Sequence, residues 1–520
     1  MSDTRPWQPR HNRWAIALAV TLVAFMEVLD TTIVNVALPH IAGSMSVSND
    51  EATWTLTSYL VANGIVLPIS GWLARVFGRK RYFLLCIASF TACSFLCGIA
   101  DSLWQLILFR LLQGFFGGGL QPNQQSIILD TFPPEQRGRA FALTAMATVV
   151  APVLGPTLGG LITDNASWRW IFFINVPVGV LTFFAVTALV EDPPWANQGE
   201  RRIDAVGMAL IALGLGCLQI TLDRGEDADW LGSPFIRLTT ILTVVGLVSA
   251  VAWLLWTRKP VVDLRVLKDR NFAVGSLMIF TMGAVLYSSA VIIPQFAQTV
   301  LGYTATLAGY ILSPGAVLVA LLIPGVSRGL LPRVQTRFLV LFGFLCLAVS
   351  LYYSSGLSPQ IDFTTLTLMR MAQTFGLAFL FVPISTIAYA TLPREQNGDA
   401  AALYTMFRNI SGSIGISVAT ALATERTQVH TAHLVPHLTP FDQPYLDAVQ
   451  SRAEALITLG RAPVEATQAA TGMMYQALRQ QAQVLAYSDV FLFCAMLAAC
   501  AAPFALLFSA RRAAGGPAGH

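Results

Sequence analysis

Long apolar runs recur along almost the whole chain, with few polar residues between them. A helix of about 20 apolar residues is long enough to cross the hydrocarbon core of a bilayer. Only 12% of the 520 residues are charged and 55% are hydrophobic, whereas soluble domains contain about 25% charged residues. The sequence therefore predicts an all-α protein that crosses a membrane many times.

Fourteen segments are predicted to be transmembrane helices. Their approximate limits are 14–38, 52–75, 81–100, 104–128, 139–163, 168–190, 203–222, 235–257, 272–300, 306–330, 337–356, 363–391, 398–424 and 487–510. Most of the 32 Lys and Arg residues fall in the loops that share a side with the N-terminus. Because basic loops are retained in the cytoplasm, both termini are predicted to be cytoplasmic.

The sequence contains an internal repeat. Residues 109–146, which begin FRLLQGFFGG, align with residues 369–406 at a constant offset of 260. The alignment brings Arg110 onto Arg370 and preserves several polar, Pro and Gly positions. Transporters are commonly built from duplicated halves with the substrate site at their interface. We therefore predict two related six-helix halves, with two further helices inserted between them.

The repeat sets the predicted domain boundaries. They are a cytoplasmic tail over 1–13, a six-helix half over 14–190, two inserted helices over 191–260, a second six-helix half over 261–510 and a cytoplasmic tail over 511–520. The second half includes the polar segment 425–486, predicted to be a loop on the non-cytoplasmic side with amphipathic helical stretches. Loops of this length are often functional, so a solvated cap and a docking surface are both open.

Two acids, Glu27 and Asp30, lie inside the first apolar run, in FMEVLDTTIVNVALP. A charged side chain at the middle of a bilayer costs about 2.5–3.5 kcal/mol, and such residues ordinarily have a function. Residues three apart share one face of a helix. Burial and a neighbouring negative charge raise the pKa of a carboxyl group, so such a pair can take up and release a proton near neutral pH. Both acids are predicted to couple protons to transport; the alternative is that they are structural acids held by hydrogen bonds.

Arg110 in the fourth span begins a polar stripe at helical spacing, continued by Gln113, Gly117, Gln121 and Gln124. Such an arginine can pair with an ionised acid and be released when the acid is protonated, which predicts a third proton-coupling residue and an exchange mechanism. A permanent structural pair is the alternative. A cavity with a few polar groups and Phe, Met and Tyr walls suits amphipathic compounds. The candidate substrate-binding residues are Gln113, Gln121, Gln124, Gln295, Gln298, Gln373, Arg408 and Asn409.

The fifth span contains the sequence APVLGPTLGG, with Gly155, Pro156, Gly159 and Gly160. Small residues allow helices to approach closely, and a proline permits a kink. These four residues are predicted to take part in gating, although the same sequence is compatible with helix packing alone.

Several of these stretches resemble the motifs of the major facilitator superfamily. LDTTIVNVALP is similar to the first-span motif of its fourteen-span drug:proton antiporters of the EmrB/QacA type, FRLLQGFFGG to the fourth-span arginine motif and GPTLGG to the fifth-span antiporter motif. WRWIFFINVPVG, RRIDAVGM and LQITLDRGEDADW extend the likeness toward the EmrB branch of that group. The resemblance implies the major facilitator fold.

GWLARVFGRKR resembles the superfamily motif between the second and third spans, through Gly71, Gly78 and Arg79. The resemblance implies that these three residues take part in conformational change. This sequence has Arg75 at the position where the superfamily usually has an acid.

The resemblance further implies a proton-coupled multidrug efflux antiporter that works by alternating access in the inner membrane of a bacterium. It implies a periplasmic adapter of the membrane-fusion type and a TolC-type outer-membrane channel as partners, with small hydrophobic or amphipathic substrates. No cofactor, metal or nucleic acid is expected, and the proton-motive force is the predicted energy source because the sequence lacks a GxxxxGK[ST] loop. An exporter of one metabolite, lipid or siderophore is the alternative; an enzyme is disfavoured because no catalytic motif is present.

Overall fold

The computed structural model describes residues 9–194, 204–439 and 441–509, which form long helices joined by short connections. The helices are α1 (Arg13–Met45), α2 (Trp54–Phe77), α3 (Arg79–Gly98), α4 (Leu103–Thr131), α5 (Pro134–Asn165), α6 (Trp170–Leu189), α7 (Ala205–Arg224), α8 (Pro234–Trp256), α9 (Arg270–Thr299), α10 (Ala305–Gly325), α11 (Thr336–Ser354), α12 (Phe363–Ala388), α13 (Asn397–Leu434), α14 (Gln443–Thr458) and α15 (Pro463–Ala501). The predicted tail 511–520 and most of the tail 1–13 lie outside the described residues, as do residues 195–203 of the predicted inserted unit.

The described helices support the prediction of many membrane spans. Twelve of them are long and apolar enough to cross a membrane, and the bent pair Pro134–Pro152 and Leu154–Thr163 raises the number to thirteen. Helix α13 stands where the span 398–424 was predicted but is not among these apolar helices. The number agrees approximately with the predicted fourteen, and the all-α membrane fold is confirmed.

The structure confirms the helical stretches predicted within the polar segment 425–486 and differs from the prediction in where the two flanking spans end and begin. Helix α13 continues to Leu434, α14 follows, and α15 begins at Pro463, well before the predicted span 487–510. The added turns contain stretches such as QALRQQAQ, whose Ala, Leu, Arg and Gln residues have high helix propensity. Two spans therefore continue beyond their apolar parts as helices instead of ending in a loop.

Helix packing brings the first and last parts of the chain together along two seams. Helices α1, α3, α4, α5 and α6 pack among themselves, and so do α9 to α13 with α15. Between these groups α5 packs on α10 and α12, while α13 packs on α2 and α4. Helices α7 and α8 pair with each other, and α7 lies against α2. We propose that the two groups, completed by α2 in the first, are six-helix halves and that α7 and α8 are the inserted pair.

Helix α5 bends by 41° between Pro152 and Leu154. Pro156 explains the bend, because a proline has no N–H for the carbonyl four residues earlier and its ring crowds that carbonyl. The segment of α5 after the bend, called its outer part below, lies directly against α1. A Cβ on Gly159 would come within 2.9 Å of the carbonyl oxygen of Ile33. A Cβ on Gly155 would meet the side chain of Thr32. Glycine is therefore required for this contact between backbones.

Gly159→Ala is expected to destabilise the protein by about 1–3 kcal/mol, because the new methyl group overpacks a backbone contact. Gly160→Ala is the matched control: nothing lies within 4 Å of a Cβ at this position, so its free energy of unfolding should stay unchanged or rise slightly. Unfolding curves in SDS measure both variants. Equal stability of the two would show that α1 and α5 do not pack as described.

Candidate functional site

Asp30 and Arg110 form an ion pair that has no solvent-exposed side-chain surface. Asp30 lies on α1 and Arg110 on α4, with Arg110 Nη1 donating to Asp30 Oδ2 at 2.6 Å. Gln113 Nε2 donates to Asp30 Oδ1 at 3.1 Å, and Asn175 Nδ2 on α6 donates to the same oxygen at 2.7 Å. A buried ion pair is tolerated only with such additional hydrogen bonds. The three helices are thus joined at one buried charge pair.

Glu27 lies one helical turn before Asp30 and is only 2% exposed. Asn63 Nδ2 on α2 donates to its Oε1 at 3.1 Å, the Tyr59 hydroxyl lies 3.4 Å from the same oxygen, and Gln121 Nε2 donates to Oε2. Within the described part of the chain, every hydrogen-bond donor to Glu27 is therefore neutral. The two predicted acids differ in this respect, because Asp30 is bound directly to a cation.

Tyr59 lies between Glu27 and Arg110. Its ring faces the Arg110 guanidinium, with Cζ 4.2 Å from the ring centroid, while its hydroxyl reaches Glu27. An arginine over an aromatic face is held by a cation–π interaction. One aromatic side chain therefore contacts both Glu27 and Arg110.

Gln121 connects the Glu27 cluster to the second half of the chain. Its amide nitrogen donates to Glu27, and its oxygen accepts a hydrogen bond from Arg408 Nη2 on α13. Arg408 is 4% exposed. The chain Glu27–Gln121–Arg408 thus crosses the interface between the two groups of helices, and it joins three residues that were predicted separately.

The structure places the other predicted polar residues away from this cluster. Gln124 donates to Thr144 at 2.8 Å, and Gln373 donates to Ser354 at 2.9 Å. Near the far end of α9, Gln295 is half-buried and Gln298 is exposed. Asn409 follows Arg408 and is half-buried on another face of α13. Only part of the predicted set therefore forms one site.

The predicted motif between α2 and α3 forms a contact with the start of α13. Gly78 has a φ of 87°, which glycine adopts without strain. The turn brings Arg79 into an ion pair with Asp130 at the end of α4, and Asn397 on α13 donates to Asp130 at 2.8 Å. A Cβ on Gly71 would lie 2.9 Å from the carbonyl oxygen of Gly398, so the backbones of α2 and α13 are in contact.

Arg75, the departure from the usual superfamily motif, forms an ion pair with Asp399 in the first turn of α13. A negative side chain near a helix N-terminus is favourable in its own right. The acid of this contact thus lies on α13 and its basic partner on α2. The seam between α2 and α13 is therefore bridged by charge at this end of the molecule.

Sequence reasoning missed four polar residues of the site: Tyr59, Asn63, Gln125 and Asn175. Gln125 Nε2 donates to the Tyr389 hydroxyl at 2.9 Å, which makes a second polar contact between α4 and the second group of helices. The signal was present, because an asparagine within an apolar run, as in VANGIVLP and FFINVPVG, needs a polar partner. The sequence did not indicate which partner each residue has.

A comparison with known protein families identifies the superfamily of this chain. Residues 20–416 match the sequence profile of the Major Facilitator Superfamily. This match covers most of the chain, so the protein belongs to that superfamily, and the predicted resemblance is confirmed. The chain is a multi-pass transporter of the inner membrane, acting on small molecules, and not an enzyme.

Individual relatives indicate which transporters of this superfamily the chain is similar to. The chain is 38% identical to "Multidrug export protein EmrB" of Escherichia coli (strain K12) over 477 residues, 92% of this chain and 91% of that protein. It is 35% identical to "Fatty acid resistance protein FarB" of Neisseria gonorrhoeae over 92% of each chain. The crystal structure of the human organic anion transporter MFSD10 matches with a TM-score of 0.58 and 13% identity, covering 94% of this chain and all of that one; this likeness concerns the fold alone.

Proposed function

We propose that the protein is a proton-coupled efflux antiporter that exports hydrophobic or amphipathic toxic compounds by alternating access. The name of the Escherichia coli relative, which describes a multidrug exporter, supports the substrate class. Each proton that moves inward across 100 mV supplies about 2.3 kcal/mol. One or two protons therefore sustain a useful concentration gradient of an exported compound.

The observation that carries this proposal is the buried chain Glu27–Gln121–Arg408 across the interface between the halves. Glu27 is the proton site, since its neutral donors leave it free to change charge. When Glu27 is ionised, Gln121 and Arg408 are drawn toward it and the halves are held together. When Glu27 takes a proton, this attraction weakens and the halves can separate. The neighbouring ion pair of Asp30 and Arg110 sets the electrostatic potential around Glu27.

We assign the conformational change to the contact between α5 and α1 and to the seam between α2 and α13. On α5, the kink at Pro156 and the close contacts of Gly155 and Gly159 allow the outer part of the helix to tilt against α1. Gly160 faces open space and gives that movement room. At the opposite end, the Arg75–Asp399 pair opens when α2 and α13 separate.

We propose that the end bearing the Arg75–Asp399 pair faces the cytoplasm. Lys and Arg residues are frequent in the connections at this end, as in GRKR and PEQRGR, and such segments are retained on the cytoplasmic side. Helix α14 then lies in the periplasm together with the ends of α13 and α15 beside it.

The periplasmic helices are the proposed docking surface for an adapter of the membrane-fusion type, which would lead to a TolC-type channel. Helix α14 packs on α15 through a small core that includes Val449 and Leu456. At the turn from α14 to α15, Leu459 and Val464 are 81% and 71% exposed, and Phe441 before α14 is 95% exposed. Exposed apolar residues that form one patch mark sites that bind another protein, and the α14–α15 turn is the proposed centre of such a patch.

The double substitution Leu459→Glu and Val464→Glu is expected to reduce drug resistance of whole cells several-fold, because negative charges at the turn between α14 and α15 weaken docking of the adapter. Uptake of the same drug by everted membrane vesicles, in which the inner-membrane step alone is measured, should stay at the wild-type level. Gln450→Glu with Gln476→Glu adds the same two charges at other exposed positions and is the control. Equal resistance in all three strains would contradict the docking proposal.

An exporter of one lipid-like compound is the second candidate function. It is favoured by the 35% identity to a protein named for fatty acid resistance. Energised everted vesicles distinguish the two functions: a multidrug exporter accumulates several unrelated dyes and uncouplers, whereas a specific exporter accumulates one chemical series. Accumulation of no compound by vesicles that contain the folded protein would contradict both.

A further inference from the structure

The second half of the chain contains a copy of the Arg110 cluster. Arg370 on α12 aligns with Arg110 in the repeat, and Gln373 aligns with Gln113. The internal contact is also repeated: Arg370 Nη1 donates to Gln373 Oε1 at 3.3 Å, as Arg110 Nη1 donates to Gln113 Oε1 at 2.9 Å. The two arginines therefore occupy corresponding places in the two halves.

The copy lacks the acid. Where Asp30 accepts from Arg110, Ser289 Oγ on α9 accepts from Arg370 Nη1 at 2.8 Å. Arg370 is 3% exposed, and its Nε has no hydrogen-bond partner. No carboxylate among the described residues forms an ion pair with it. Burying an arginine without a counter-charge costs free energy. An anion from outside the chain that bound at this position would supply the missing negative charge.

Arg370 borders a cavity between the halves. In this conformation the cavity is narrow, with about 20 Å³ of water-accessible space, and it opens outward between the halves. Its other walls are mainly apolar and include Val149 on α5, Leu286 on α9 and Leu312 on α10. Tyr287 lines the same cavity, and its ring lies against Gly412 on α13, one helical turn after Arg408. The cavity is thus close to the Arg408 end of the Glu27–Gln121–Arg408 chain.

We propose that Arg370 binds the acidic group, a carboxylate or a sulfonate, of an amphipathic anion whose apolar part lies between these walls once the halves separate and widen the cavity. Guanidinium groups bind such planar or multi-oxygen anions through short, charge-assisted hydrogen bonds. The bound anion replaces the acid that the first half carries as Asp30. This inference deepens the proposed export function and rests on it.

The test uses two fluorescent probes with the same aromatic frame: anilinonaphthalene sulfonate, which is an anion, and N-phenylnaphthylamine, which lacks the sulfonate. The full-length protein is reconstituted in proteoliposomes with an acidic lumen, and uptake of each probe is measured. Arg370→Gln is expected to lower the ratio of anion uptake to amine uptake by about tenfold or more, because a hydrogen bond to a charged group is lost.

Ser289→Asp is the sharper variant, since it supplies the missing acid within the chain. It should fold, because it pairs Arg370, and should lower the same ratio as strongly as Arg370→Gln. Ser289→Ala removes the same hydroxyl without adding charge and should keep the wild-type ratio.

Each outcome decides the proposal. An unchanged ratio in Arg370→Gln and Ser289→Asp overturns it, and so does equal loss of both probes in Ser289→Asp at wild-type protein level. If the wild type takes up the amine but not the anion, the anion site is wrong and the export function stands. If the wild type takes up neither probe nor any dye, the export function fails and the anion site fails with it.

Discussion

Replacing Glu27 by glutamine is expected to reduce drug accumulation in energised everted vesicles to the level seen without a proton gradient. Glutamine keeps the size of the side chain and can still contact Asn63 and Gln121, so the protein should reach the membrane in normal amount. It cannot change charge, and the Glu27–Gln121–Arg408 chain therefore no longer responds to protons. Coupling should be lost while folding is retained.

The control for this variant is Asp223→Asn near the end of α7, which removes another acid from a membrane-spanning helix. Asp223 hydrogen bonds with Thr57 and is not part of the Glu27 cluster. Proton-driven accumulation should persist in this variant. If Glu27→Gln accumulates drug as well as the wild type, Glu27 is structural, and the proton site lies elsewhere.

Asp30→Asn is expected to destabilise the protein by about 3–5 kcal/mol, the cost of leaving one partner of a buried ion pair without its counter-charge. In this variant Arg110 still donates to the backbone of α2 and lies over the Tyr59 ring, but it has no acid as a partner. Arg110→Gln should have a similar cost, because Asp30 would remain buried. Unfolding in SDS gives the free-energy change for each variant.

The double variant Asp30→Asn with Arg110→Gln tests the pair itself. Because both charges are removed, its free energy of unfolding should lie well above the value obtained by adding the two single effects. Additive losses would contradict a direct ion pair. Loss of transport in a stable double variant would further assign the pair to the coupling of protons rather than to folding alone.

The sequence was sufficient to predict the helices and the chemical nature of the site. Glu27 and Asp30 stood out because acids are expensive in a run of apolar residues, and Arg110 with Gln113 stood out through helical spacing. Their pairing across helices was not readable, since a single sequence carries no information on which faces of α1, α4 and α6 meet. Gln124 belongs to the same stripe as Gln121 but contacts Thr144 instead.

Two features depended on tertiary structure. The length of α13 and α15 was underestimated because apolar composition marks only the part of a helix that lies in lipid, and polar turns of good helix-forming residues continue both helices. The partner of Arg75 is 324 positions away, at Asp399. Local sequence identified the departure from the usual motif but could not place an acid on another helix.

Proton movement during export tests the central claim most directly. Everted vesicles that contain the wild-type protein are acidified inside by respiration, and the pH gradient is followed with a quenched fluorescent dye. An antiporter releases lumenal protons when a transported drug is added, so the fluorescence should recover at once, and recovery should be absent with Glu27→Gln. Drug accumulation that continues without proton release, or after the gradient has been dissipated, would contradict proton-coupled antiport.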